Sequence, residues 1–214
     1  MNIQATPKPR RKQNPAAVKQ NIVEVAIKEF SANGLAGSSV NVIAEKTDTS
    51  KRMIYYYFGG KSKLYRAAIE HAYRKVLGRE NEHEIDKLHP IKALEALVSI
   101  PFKNRENLDC FGRIVAGENL LSGEHVAQIE GFRELNAPAR LLVQDIYEKG
   151  VATGDFRPGL NPLVIRWFLN AIGTFNVVNR HTFKAAFGDE LDSPEGQEML
   201  RQQMVKGLLA IVQK

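Results

Sequence analysis

Cysteine is almost absent from this sequence: Cys110 stands alone in 214 residues. A single thiol cannot close an internal disulfide. That excludes a disulfide-stapled secreted scaffold and leads us to expect an intracellular, cytoplasmic protein. With no histidine near it in the chain, Cys110 reads as a small core residue rather than a nucleophile. No apolar run approaches the ~18–20 residues that a membrane span needs, so no membrane partner is expected. The first fifteen residues, MNIQATPKPRRKQNP, are basic and proline-rich with no apolar stretch behind them, unlike a secretory leader. His71, His83, His89, His125 and His181 never pair at metal-ligand spacing, and neither metal nor cofactor is expected. The hydrolase signatures G-x-S-x-G and H-E-x-x-H do not occur. Gly60-Lys61-Ser62 ends like a phosphate-binding loop, but Tyr55 stands where that loop needs its first glycine, and a helical pattern precedes it where a strand should. Convincing strand alternation and internal repeats are also missing.

What is present is globular and unevenly charged. Hydrophobic residues make up 43% and charged residues 25% of the chain, which excludes a wholly disordered or fibrous protein. Residues 1–80 hold 15 Lys/Arg against 6 Asp/Glu, a net +9, whereas residues 81–214 hold 15 against 18, a net −3. A basic first third joined to a mildly acidic remainder fits a nucleic-acid reader attached to a separate body.

Residues 1–15 form a basic arm. From Ala16, the spacing of Val18, Ile22, Val25, Ala26 and Phe30 predicts one face of a helix. Asn14-Pro15 suits its start and Asn33-Gly34 its end. After a short LAGS loop, Ser39 caps a second helix carrying Val40, Ile43 and Ala44. Asp48-Thr49-Ser50 breaks the pattern. Ser50 then caps a third short helix, KRMIYYYF, which Gly59-Gly60 ends. Although Ile and Tyr favour strands, this run neither alternates nor has a hairpin partner, so it reads as helix. Lys61-Ser62 opens a fourth helix, to about Gly78. Further helices follow in HPIKALEALVSIPF, in FGRIVAGENLLS and in a long segment interrupted near Pro138. Asn161-Pro162 opens LVIRWFLNAIGTFNVVNRHTF, and Ser193-Pro194 opens the closing helix. The expected fold is all-α. An N-terminal three-helix unit (16–60), whose two short helices and tight turn have the geometry of a helix-turn-helix DNA reader, leads through a linking helix (61–78) to a larger helical domain (79–214).

The third helix carries the functional argument. Ile54 and Phe58, four residues apart, would pack inward. Arg52, Tyr55 and Tyr56 fall on the opposite side, Lys51 projects from the N-terminal end, and Met53 and Tyr57 lie at the margins. Two tyrosines beside basic residues on a surface face make sense if a DNA groove covers them. Arg and Lys donate to guanine edges, apolar groups meet thymine methyls, and tyrosine hydroxyls bond phosphates.

The run from Ala16 to Ile69, centred on SSVNVIAEKTDTSKRMIYYYFGGKSKLYRAAIE, resembles the DNA-binding domain of TetR-family transcriptional regulators. The likeness includes the Phe30/Gly34 end of helix one, Ile43-Ala44, the Ile54-Tyr55…Phe58 recognition helix and Lys61. Where the family usually has glycine this chain has Asp48, which tolerates the left-handed conformation well. The resemblance implies that Ser39 holds a phosphate and Asn41 reaches a base or phosphate. It implies that Lys51, Arg52, Met53, Tyr56 and Tyr57 line the groove next to the cap Ser50. Tyr55 and Lys61 would clamp phosphates, and Arg10, Arg11 and Lys12 would follow a neighbouring groove.

The remaining residues resemble the family's ligand-binding domain more loosely, with VVNRHTFKAAFG similar to one subgroup. The resemblance implies a homodimer and a small-molecule effector of unknown identity. Met199, Met204, Leu208 and Val212 on the closing helix, with Trp167, are the expected dimerisation residues. Trp167, Asn170, Phe175 and Asn176 mix aromatic surface with amide handles, and Phe102, Phe111 and Arg113 would face them as a ligand pocket. The expected partners are therefore double-stranded DNA, a second copy and an effector. The resemblance favours a ligand-released repressor acting on a palindromic operator, with an activator of the same architecture as the alternative. Two further classes stay in view: a small helical enzyme, for which no catalytic constellation is present, and an RNA-binding or structural helical protein, although the usual RNA-stacking sheet is missing.

Overall fold

The structure, a computed structural model, describes residues 14–81, 84–103 and 105–213, with the side chains of residues 79–81, 106 and 107 outside that description. Among the described residues the chain forms ten α-helices: α1 (Pro15–Gly37), α2 (Val40–Lys46), α3 (Lys51–Phe58), α4 (Lys61–Asn81), α5 (Pro90–Lys103), α6 (Arg105–Leu120), α7 (Phe132–Ala152), α8 (Pro162–Val178), α9 (Arg180–Phe187) and α10 (Pro194–Val212). None of these is long and apolar enough to cross a membrane. One isolated antiparallel bridge, Phe156 to Gln213, ties the end of α10 back to the α7–α8 loop.

Each expected cap makes its bond. Asn14 accepts from Ala16 N–H at 3.1 Å and Ser39 from Asn41 N–H at 3.2 Å. Ser50 accepts from Met53 N–H at 3.2 Å, Asn161 from Leu163 N–H at 2.9 Å and Ser193 from Gly196 N–H at 3.0 Å. In each case a side-chain oxygen takes up an amide that the first helical turn leaves without a partner. Asp48 adopts φ 51°, the left-handed turn conformation expected of it.

Three elements differ from the sequence reading. The first helix bends at Gly34 (φ 66°) instead of ending there, and resumes to Gly37. Ser38 Oγ donates to the carbonyls of Glu29 and Gly34, taking up acceptors that the bend exposes. Pro138 does not interrupt α7. It sits near the start of the helix on the exposed side, as does Glu134, whose carbonyl loses its helical partner to the proline. The segment from Pro162 is two helices, broken at Asn179. The bend folds Phe183 back against Phe175, ring centroids 6.0 Å apart.

Two apolar cores result. One joins Ile22, Ala26 and Phe30 of α1 to Ile43 of α2, Ile54 of α3 and Leu64, Tyr65 and Ile69 of α4, and also takes in Ile114 from α6. The other joins α5, α7, α8 and α10 around Leu94, Val143, Ile146, Phe156 and Ile165. Leu208 and Val212, expected at a dimer interface, belong to this second core at 2% and 0% exposure. Their face of α10 packs on α5 within the subunit. Met204 is half-buried on the same side, whereas Met199 of α10 and Trp167 of α8 are exposed.

Candidate DNA-binding face and ligand cavities

α3 is pinned from beneath by Ile54, which is fully buried. Its outer side carries Lys51, Arg52, Met53, Tyr55 and Tyr56, all exposed, with Tyr56 at 78%. The Lys51 ammonium lies 5.9 Å from the Tyr55 ring centroid. Tyr57, expected at the margin, is half-buried. Its ring packs on the reader core, edge-on to Tyr56 and Phe58, with the Lys19 ammonium 5.3 Å away. At the start of α2, Asn41 is exposed and Ser39 half-buried. Ser39 caps through an oxygen lone pair, so its hydroxyl proton remains able to donate. Lys61, half-buried at the start of α4, donates from Nζ to the Ala36 carbonyl at 3.1 Å. Arg10, Arg11 and Lys12 lie outside the described residues.

A residue the sequence reading missed sets this geometry. Glu29, 5% exposed, accepts from Lys46 Nζ and Asn33 Nδ2 at 3.1 Å each and from Ser39 N–H at 3.4 Å. Burial pushes its carboxyl up, but the Lys46 ammonium, the Ser39 amide and the Asn33 amide outweigh that and hold it below the ordinary value. Glu29 therefore ties the end of α1 to both ends of α2. Its place on the buried face of α1, seven residues after Ile22 and three after Ala26, could be read from the sequence, but its partners could not.

Three cavities among the described residues of the body bear on ligand binding. An inner one of about 250 Å³ lies between α4, α5, α6, α7 and α8. Tyr73, Val76 and Leu77 of α4 form one wall, and Phe111, Asn136 and Asn170 are among its other lining residues. Gly112 of α6 lines it too, where a Cβ would meet Val178 Cγ2 at 2.8 Å. A second pocket of about 500 Å³ shares Asn136, Arg166 and Asn170 with the inner cavity and adds Arg133, Glu134 and Arg140, giving a basic mouth. A third, of about 450 Å³, lies on the other side of α8 against α9 and α10. Of the expected ligand residues, Phe111 and Asn170 line the inner cavity, while Phe102, Phe175 and Asn176 line the third. Arg113 and Trp167 line none of these. Arg113 is held on the surface by Asp109 at 2.8 Å, and Trp167 points outward at 65% exposure.

Between reader and body lies a buried polar group. Glu118 of α6, 3% exposed, accepts from the backbone N–H groups of His125 and Val126 at 2.6 and 3.0 Å. His125 Nδ1 stands 3.4 Å from the other carboxylate oxygen. Tyr65 of α4 packs edge-on to His125 and to Phe30. Its hydroxyl is pushed up to about 12 by burial and by the Glu118 charge. Tyr73, two turns along α4, packs edge-on to Phe111 and Phe132 and is raised by burial and by Glu118 as well.

Comparison with known proteins agrees with this architecture. Residues 22–68 match the family model described as bacterial regulatory proteins, tetR family, and residues 90–207 match the tetracyclin repressor-like C-terminal domain. The chain is 31% identical over 181 residues to the HTH-type transcriptional repressor NicS of Pseudomonas putida, covering 85% of each. It is 23% identical over 155 residues to the HTH-type transcriptional repressor KstR2 of Mycolicibacterium smegmatis, covering 72% of this chain and 75% of that one. Among solved structures, FadR of Bacillus subtilis in complex with stearoyl-CoA shares the fold with a TM-score of 0.65 at 18% identity, over 89% of this chain and 97% of that one. With the C-terminal model alone spanning more than half of its length and a relative above 30% identity along most of it, this chain belongs to the TetR family of bacterial transcriptional regulators.

Proposed function

We propose that the chain is a ligand-released repressor that reads a palindromic duplex as a homodimer. One observation carries the reading. A basic, tyrosine-bearing face on α3 is exposed, while Ile54 locks the same helix from below and the Glu29 clamp fixes α2 to α1 beside it. An exposed aromatic and cationic face on a rigid helix suits the major groove, where arginine and lysine read guanine edges. Relatives named as transcriptional repressors support repression over activation. The working division keeps an arm at 1–15, a reader at 16–60, a linking helix at 61–78 and a body at 79–214. The chain acts by binding, without catalysis, and in the cytoplasm.

A symmetric operator requires a symmetric protein. With Leu208 and Val212 committed to the subunit core, the dimer surface moves to α8. There Leu163, Val164, Trp167 and Phe175 are all more than half exposed along one side, with Met199 of α10 beside them. The effector belongs in the inner cavity, because that cavity is walled by α4, and α4 also carries Leu64, Tyr65 and Ile69 of the reader core. Its apolar walls take an apolar ligand body, and Asn136 and Asn170 take a hydrogen-bonding end.

The test is selection of bound fragments from a random duplex pool. An inverted repeat is expected, with half-sites about 10–10.5 base pairs apart or a multiple of that. Selected fragments without two-fold symmetry, or equal competition by RNA, would overturn the reading.

A further inference from the structure

Lys19 of α1 stands beside the recognition helix without belonging to it. Its side chain is exposed, and its ammonium lies 5.3 Å from the Tyr57 ring centroid. Among the described residues no carboxylate pairs with it. Tyr57 is fixed: it is half-buried, and its ring packs on the reader core and meets Tyr56 and Phe58 edge-on. A ring held in this way cannot turn outward to a base edge, but its face can steady a cation.

The place of that cation follows from the helical periodicity of α3. At 100° per residue, Arg52 and Tyr56 point almost directly away from the buried Ile54, and Tyr55 and Tyr57 flank them on opposite sides. Lys51 leans over Tyr55 at 5.9 Å as Lys19 leans over Tyr57, so each flank of the outer face carries a lysine against a tyrosine ring. One lysine comes from α3 itself and the other from α1. The Tyr56 and Tyr57 centroids are 5.5 Å apart, which puts the Lys19 ammonium within about 11 Å of the Tyr56 ring, less than the ~12 Å width of a major groove. A helix seated in that groove has a wall of phosphates on either side. We propose that Lys19 binds a backbone phosphate on the wall opposite Tyr55, with Tyr57 as the residue that positions it. This contact rests on the entry of α3 into the groove.

Fluorescence anisotropy across salt concentrations, on the selected duplex and on single-base variants of it, tests this. Each phosphate neutralised by a cation contributes about 0.9 to the slope of log affinity against log salt. Lys19→Met is expected to flatten the slope by about that amount and to weaken binding roughly five- to tenfold near 0.1 M salt, equally for every duplex variant. Lys19→Arg, which keeps a charge that stacks on an aromatic face, is expected to hold the wild-type slope. Tyr57→Leu is expected to weaken binding less, and Lys19→Met made in that background should cost less than it does alone. Thermal unfolding checks that each variant keeps its fold. An unchanged slope in Lys19→Met, a loss confined to one base position, or additive losses in the double variant would each overturn the assignment. Arg52→Ala keeps the two readings apart. If it still relaxes preference at one base while Lys19→Met changes nothing, the Lys19 contact alone fails. If neither variant affects duplex binding, the entry of α3 fails with it.

Discussion

Replacing Glu29 with glutamine removes one charge and little else. The side chain keeps its volume, and its amide oxygen, placed where Oε1 stands, still accepts from both Ser39 N–H and Asn33 Nδ2. What is lost is the charge that strengthens those bonds and the pairing with Lys46. Lys46 is 57% exposed, so its share is that of a surface ion pair, about 0–1 kcal/mol. The buried end weighs more, because hydrogen bonds to a charged group contribute about 1.5–3 kcal/mol and the 3.4 Å contact to Ser39 stands at the weak end. We therefore expect Glu29→Gln to destabilise the fold by about 1–2 kcal/mol at neutral pH and Lys46→Met by less than about 1 kcal/mol. The pH dependence follows from the lowered carboxyl. Stability that Glu29 adds is fully present above its unfolded value, near 4.5, and is lost as pH falls through the lower folded value. Thermal unfolding of both proteins between pH 7 and pH 3 measures this. The gap between wild type and Glu29→Gln should stay constant above pH 5 and close below 4.5. A gap that persists undiminished at pH 3, or a Lys46→Met penalty as large as that of Glu29→Gln, would refute the account of the clamp.

Other outcomes follow from the same geometry. Arg52→Ala should relax preference at one base position, by about 1–3 kcal/mol where it reads a guanine, whereas Lys61→Ala should weaken all duplexes alike and flatten the salt slope by about one unit. Fluorescence anisotropy on the selected and a scrambled duplex across salt concentrations separates the two. Leu208→Ala should cost about 2–5 kcal/mol of folding stability in urea, since it opens a void in the subunit core. Trp167→Glu should leave unfolding nearly unchanged while raising the dissociation constant seen by sedimentation. An effector found by screening should bind about 5–150-fold more weakly when the selected duplex is present, because coupling is reciprocal. Identical titrations with and without the duplex would exclude release by that ligand.

Local chemistry was what the sequence displayed most directly. The five caps, the left-handed turn at Asp48 and the buried Ile54 all depend on residues within four positions of one another. Asparagine and serine before a helix, or an apolar residue one turn from another, carry their meaning alone. Leu208 and Val212 show where that stops. Their spacing marks a buried face, but burial against α5 of the same chain and burial against a second copy give identical periodicity. Trp167 and Phe175 pose the converse problem, since a large aromatic in an apolar helix reads as a pocket or a core until its exposure is known. The cavities were not legible as two. Phe102, Phe111, Phe175 and Asn170 were grouped by residue type, yet α8 stands between them, and its opposite sides serve different spaces. Glu29 was hidden for a different reason. Only the approach of Lys46 and Ser39, brought by the α1–α2 turn, makes an acid on an apolar face tolerable.

How a molecule in the inner cavity reaches α3 is a question about α4. Tyr65 and Tyr73 stand eight residues apart on that helix, about two turns or ~12 Å. Tyr73 lines the cavity, whereas Tyr65 is sealed in the reader core against Phe30. Burial raises both hydroxyls and the Glu118 charge adds to it, and α6 meets α4 at both levels, through Phe111 against Tyr73 and through Glu118, which holds the His125 that packs on Tyr65. A ligand that moves Tyr73 away from Phe111 and Phe132 cannot shift that turn alone, because a continuous helix moves as a rod. Tyr65 must follow, and with it Phe30 and the reader core on which α2 and α3 rest. Only a ligand that fits the shifted position better than the resting one drives this, however tightly it binds. In a two-fold dimer the consequence is geometric. Half-sites one helical turn apart demand recognition helices roughly 34–36 Å apart, and tilting two α4 rods in opposite senses changes that distance without altering a single contact within either reader.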